Sequence, residues 1–207
     1  MKTSLFVKCD RCGKGNHINY ILNDTDVKSA CECGNQLSYS LGPEFTIGQR
    51  ILERSRYEFL MNKDYNLSIV FSAMAVDCEL SNLYFKWSNN IGSNISDQEL
   101  EKSLRKFGNI ENKIQEVSKL MLSKGFKEFI QNNREILKNI ENDYPSLNKN
   151  EVAESFQQQL FWPRNRVLHL GFSGYTKNDA KRCFNIATLG LQIFDKMDEY
   201  KSKHWKK

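Results

Sequence analysis

The sequence predicts a mainly α-helical bundle preceded by a small β module, and three observations carry that prediction. From Glu44 to the end only two prolines interrupt the chain, Pro145 and Pro163, and no period-2 alternation of apolar residues appears. The first 42 residues differ: they hold four of the six cysteines, four glycines (Gly13, Gly15, Gly34, Gly42) and the short β-prone pieces Ser4 to Val7, His17 to Leu22 and Gln36 to Tyr39. Aromatic residues are plentiful, with 13 Phe, 8 Tyr and 3 Trp, so a real core can be built. Gly42-Pro43 punctuates the two parts, which we read as domains 1–42 and 43–207.

The N-terminal module is read from its cysteines. Cys9-x-x-Cys12 and Cys31-x-Cys33 form two close pairs, each followed by a glycine. In a reducing compartment such pairs read as metal ligands before disulfides. Four thiolates suit a tetrahedral zinc ion and leave it no open position, so a structural zinc ribbon is expected, held by Cys9, Cys12, Cys31 and Cys33. Metal binding supplies folding energy to a module too small for its own core. His17 could replace one cysteine, or sit on the surface of its strand.

The helical part is expected near 47–62, 64–90, 97–107, 110–122, 125–143, 148–160, 163–170 and 177–203. Ser96 with Glu99, and Thr176 with Asp179, offer start signals. In the second of these helices, Leu67, Val70, Phe71, Met74, Cys78, Leu83 and Phe85 fall largely along one stripe. Ala180, Cys183, Phe184, Ala187, Leu191 and Phe194 do so in the last. These two helices are the expected spine of the bundle, with Cys78 and Cys183 as core residues. Trp87 and Trp162 read as packing anchors rather than base-stacking platforms. The ending Lys201-Ser-Lys-His-Trp-Lys-Lys reads as a frayed basic tail.

Composition excludes some classes. No run approaches the roughly 20 apolar residues of a membrane span, and Met1 to Val7 is too weakly apolar for a secretory leader. A cytoplasmic protein with no membrane partner is the expectation. The net charge of +5 permits a polyanionic partner without demanding one.

The most informative stretch is Phe161-Trp-Pro-Arg164-Asn165-Arg166-Val-Leu-His169-Leu-Gly171. Pro163 suits the first turn of a helix and Gly171 its end. At about 100° per residue, Asn165 and Arg166 share a face with His169, whereas Arg164 stands roughly 140° away. Geometry alone favours Arg166 as the histidine's neighbour.

Arg164-Asn165-x-x-x-His169, within an all-helical chain, resembles the signature of the HEPN superfamily, whose helical domains carry an Arg, four to six residues, then His. The long helix around Glu79 resembles that family's first core helix. The resemblance covers about residues 64–203, and it implies a metal-independent ribonuclease whose motifs meet across a homodimer. His169 would act as general base or acid, Arg164 would neutralise transition-state charge, and Asn165 would orient the histidine or a phosphate oxygen. Arg166 would add a backbone phosphate contact. Glu79 would support Arg164 or Arg166, or pair on a surface. The product would end in a 2′,3′-cyclic phosphate, the substrate being RNA. Such proteins serve in bacterial antiviral defence or as toxins, and a regulatory protein partner fits that setting. Gly171 stands where toxins paired with a nucleotidyltransferase antitoxin carry a tyrosine, so that pairing is not expected. The reading that competes is a non-catalytic adaptor, binding protein or nucleic acid through ribbon and bundle.

Overall fold

The computed structural model describes residues 2–21, 26–40, 46–90, 96–133, 135 and 152–205. Two antiparallel hairpins form its N-terminal part. β1 (Lys2–Lys8) pairs with β2 (Gly15–Ile21), running from Lys2 opposite Ile21 to Lys8 opposite Gly15. β3 (Asp26–Ala30) pairs with β4 (Gln36–Ser40), running from Asp26 opposite Ser40 to Ala30 opposite Gln36. The sequence reading lacks β3. Its residues Asp-Val-Lys-Ser-Ala hold one strong strand former, so the strand is made by its pairing with β4 rather than by local preference.

Seven helices follow among the described residues. α1 (Ile47–Tyr57) continues as a π-helical turn, Glu58–Asn62, and stops at Lys63, which takes the left-handed conformation. α2 (Tyr65–Asn90), α3 (Asp97–Lys106), α4 (Ile110–Met121) and α5 (Gly125–Asn132) come next. Capping boxes open α1 at Thr46, α3 at Ser96 and the last helix at Thr176. α5 ends at Asn133, where a longer helix to 143 is expected; residues 134 and 136–151 lie outside the described residues, as do the predicted start at 148 and the boundary at Gly42-Pro43.

The predicted helices 148–160 and 163–170 are one. Val152–Phe156, a π-helical turn Gln157–Phe161 and Trp162–Leu170 run together as α6. Pro163 explains both the expectation of a break and its failure. It has no N–H to donate back to Gln159. The chain widens just before it, Trp162 N–H bonding to Gln157 five residues back, and the Gln159 carbonyl instead accepts the Cys183 thiol at 3.3 Å. α7 (Lys177–His204) completes the bundle.

α2 packs against α1, α4, α6 and α7, so it is central rather than one-sided. Its buried apolar residues include Ile69, Ala73, Ala75, Val76, Leu80 and Trp87 together with Val70 and Leu83 of the predicted stripe, while Leu67 and Met74 of that stripe are exposed and Cys78 is half-buried. Phe156 from α6 and Phe194 from α7 are fully buried in the same core. α1 approaches α2 through small groups. A Cβ on Gly48 would lie 2.7 Å from Glu79 Cβ and 2.8 Å from the Ala75 carbonyl oxygen. One turn-pair further on, Ser55 Oγ meets Ser72 Oγ at 2.8 Å and donates to the Ser68 carbonyl at 2.7 Å.

The C-terminal tail is docked, not frayed, as far as Trp205. That ring packs on Trp87 with centroids 5.5 Å apart, and Lys201 donates to the Leu120 carbonyl at 3.1 Å. Among the described residues no helix is long and apolar enough to cross a membrane.

Candidate functional site

The cysteine turns close the two hairpins. Gly13 and Gly34 sit just after the second cysteine of each pair, at φ +70° and +82°, a left-handed conformation that glycine adopts without cost from a Cβ. There Gly13 N–H bonds to the Cys9 carbonyl at 2.7 Å and Gly34 N–H to the Cys31 carbonyl at 2.8 Å. The two turns differ by one residue, the first closing from Gly13 back to Cys9 and the second from Gly34 back to Cys31, in step with the two and one residues between the cysteines.

The sulfurs of Cys9, Cys12, Cys31 and Cys33 all lie within 4.8 Å of one another, an arrangement that could hold a metal ion. Cys9 and Cys33 are 3.7 Å apart, Cys12 and Cys31 3.6 Å, far too long for disulfides. A tetrahedral ion with metal–sulfur bonds of about 2.3 Å has sulfur–sulfur edges of about 3.8 Å, so the donor set fits one. Burial opposes ionisation of Cys9, but N–H groups of Cys12 and Arg11 and the Asn35 amide hold its thiol down at about 6. A Lys14 N–H pulls Cys12 down too, yet burial and the neighbouring sulfurs outweigh it and push that thiol up to about 12. The Cys33 N–H likewise holds the Cys31 thiol down, whereas the Cys33 thiol is pushed up although an Asn35 N–H pulls it down. Two thiolates form readily; the other two need a cation among them. His17 lies on β2, opposite Phe6 in the register.

The second constellation lies on α6. Arg164 and Asn165 line a cleft of about 550 Å³ between α6, α2, α3 and α4. Arg164 Nη1 donates to Asn165 Oδ1 at 2.8 Å, and among the described residues it has no carboxylate partner. The other cations of the cleft are paired. Lys113 Nζ meets Asp77 Oδ1 at 2.5 Å and Ser81 Oγ at 2.8 Å, and Arg105 meets Glu101 at 2.6 Å. Arg164 is therefore the charge left for a ligand.

His169 is exposed in the last turn of α6, with Gly171 closing the helix at φ +62°. It does not line the cleft. Asn165 connects the two, since it stands one turn before the histidine and binds the arginine. Arg166 points elsewhere. Its guanidinium lies 3.9 Å from the Phe172 ring centre, 5.0 Å from that of Trp162 and 6.0 Å from that of Tyr175. Burial pushes the Tyr175 phenol up, with the Arg166 charge opposing.

Glu79 is 2% exposed and its carboxylate accepts the Gly48 N–H at 3.0 Å, at the start of α1. It is a buried helix-terminus partner, not a surface pair, and no contact with Arg164 or Arg166 is found among the described residues. Asp77, two residues earlier, faces the cleft instead, as the i, i+2 spacing requires. Trp87 is a buried anchor, whereas Trp162 is 57% exposed, which overturns the packing role expected for it. Lys113, Gln157, Phe172 and Tyr175 join these sites without any local sequence signal, because their roles arise where separate helices meet.

Compared with family models, with curated proteins and with solved structures, the chain has no match. What the fold and sites define is a mainly helical protein with a four-cysteine, metal-competent module at its N-terminus.

Proposed function

We propose that this protein is a metal-independent endoribonuclease, active as a homodimer of HEPN-like helical domains. The observation that carries the reading is the Arg164–Asn165 hydrogen bond, which draws an arginine without a carboxylate partner toward the face that bears His169. In this reading the 2′-hydroxyl of RNA attacks the adjacent phosphorus and the bond to the 5′-oxygen breaks. His169 takes the proton from the hydroxyl or returns one to the leaving oxygen; imidazole suits either task near neutral pH. Arg164 stabilises the charge on the equatorial phosphoryl oxygens through its planar fork. Asn165 holds the arginine in place. The product ends in a 2′,3′-cyclic phosphate, and bacterial antiviral defence or toxin activity is the setting that the family resemblance supports.

The metal in the ribbon is zinc in this reading, since a closed set of four thiolates favours it and gives it a structural task. The ribbon then serves to recognise RNA or a regulatory protein.

The test uses zinc-loaded protein mixed with cellular RNA and excess EDTA, beside a His169→Ala variant. The wild type should cleave and leave ends that a phosphomonoesterase removes only after acid opening; the variant should lose at least ~100-fold in rate. Equal cleavage by both, or none by either, defeats the proposal. A non-catalytic adaptor is the second reading, favoured by the exposed Leu168 and Leu170 beside His169, at 49% and 75%. It predicts tight partner or nucleic-acid binding with no cleavage.

A further inference from the structure

Tryptophan is costly to leave in water, and α6 leaves one there. Trp162 opens the regular part of that helix, 57% exposed. Asn165, Arg166 and His169 follow it at i+3, i+4 and i+7, on the same face. Behind the indole lies a packed stack. The Arg166 guanidinium sits between Trp162 and Phe172, and Phe172 meets Tyr175 edge-on at 4.8 Å. The turn that makes this possible is the left-handed Gly171, after which Phe172 N–H bonds to the Arg166 carbonyl at 3.1 Å and its ring folds back over the arginine. The indole is therefore backed by a cation and fixed in orientation before any ligand arrives, which lowers the entropy lost on binding.

We infer that Trp162, backed by Arg166 and Phe172, is a stacking platform for one nucleobase of single-stranded RNA, placed one to two turns from His169. The inference deepens the ribonuclease reading and rests on it for the identity of the nucleic acid. The occupant follows from the mixture of groups on this face. Among the described residues Arg166 has no carboxylate partner, and His169 and Asn165 add polar nitrogens along the same helix face. A purely apolar protein surface would bury that cation without compensation. A nucleotide supplies a flat π-face for the indole and a phosphate for the arginines. Bases paired in a duplex are not free to stack, so single strands are preferred.

The test uses the full-length zinc-loaded protein carrying His169→Ala, so that bound RNA persists. Binding of an adenine-rich single-stranded hexanucleotide is compared with the same strand bearing abasic sites and with its duplex. Trp162→Ala should weaken binding of the intact strand about 5- to 50-fold, in line with the usual worth of one stacked base. Trp162→Phe should restore most of it, and the abasic strand and the duplex should bind independently of residue 162. In the cleaving protein, Trp162→Ala should raise KM with little change in kcat. Unchanged affinity in Trp162→Ala, equal Trp162-dependence for the abasic strand, or a dimer that becomes a monomer with RNA affinity intact would each overturn the platform. Cleavage that ignores residue 162 removes the platform and leaves the ribonuclease; Trp162-dependent binding without cleavage by the His169-intact protein does the reverse.

Discussion

The cysteine module and the α6 face handle their polar groups in opposite ways. In the ribbon, each sulfur has three others within 4.8 Å, and the N–H groups of Cys12 and Arg11 point at the Cys9 sulfur, that of Cys33 at the Cys31 sulfur. The four sulfurs converge on one point, a donor set that a tetrahedral ion would close. On α6, among the described residues, Arg164 has an amide partner and no carboxylate one, His169 is exposed, and Trp162 stands in water. The module gathers its four thiols at one place, two buried and two exposed. The helix face exposes its chemistry and relies on the bundle behind it, where Phe156, Phe194 and Ile69 are fully buried, for stability. Closure marks structure here, and incompleteness marks the place where a ligand is expected.

The largest effect should come from opening the closed site. Cys31→Ala, or prolonged chelation, removes binding energy that is on the order of 10 kcal/mol for structural zinc. Residues 2–40 should lose their dispersed NMR amide signals while the helical signals and the thermal transition of the bundle persist. Loss of both together would show that the ribbon and the bundle fold as one unit, and the contrast drawn above would fail.

A smaller effect should follow from crowding the bundle where it is tightest. Gly48→Ala places a methyl group against the Ala75 carbonyl and Glu79 Cβ, closer than atoms tolerate. Forcing α1 from α2 should cost about 1–3 kcal/mol and lengthen the hydrogen bond from Gly48 to Glu79. Urea unfolding should show the midpoint falling with the slope unchanged. A loss below ~0.5 kcal/mol would mean that the interface adjusts freely.

The same contrast explains what could be read from the sequence. The metal cluster was legible because its ligands are close in the chain and their chemistry is local. The helix pattern was legible from periodicity and caps such as Thr176 with Asp179. The buried face of α2 was not, because Ile69, Ala73, Val76 and Leu80 are covered from several sides and no single stripe records that. The continuity of α6 through Pro163 depends on a π-helical turn and on Cys183, a residue 24 positions from Gln159. The exposure of Trp162 and the burial of Glu79 have no local signal for one reason: neighbouring helices decide how much of a single side chain is covered. The Arg-Asn-x-x-x-His spacing is visible in the sequence, but the hydrogen bond from Arg164 to Asn165 is seen only in the structure.

The subtlest break in the comparison lies inside the bundle, at Asp195 on α7. Burial, the carboxylates of Glu79, Asp198 and Glu199, and only partial relief from Lys196 push its carboxyl up to about 6. Here a polar group of the bundle is half-buried with no hydrogen bond or ion pair among the described residues. Between its ordinary value of 3.8 and about 6, the folded protein holds this proton more tightly than the unfolded chain does. Its contribution therefore favours folding most below pH ~4, declines as pH rises toward ~6, and is flat and unfavourable above that. Asp195→Asn removes the charge and should stabilise the protein by about 1–2 kcal/mol at pH 7.5, a figure discounted for its partial exposure. The advantage should shrink toward zero at pH 4. Unfolding midpoints of both proteins across that range provide the check. A constant difference at every pH would show that the substitution acts through packing, and that Asp195 carries no strained charge.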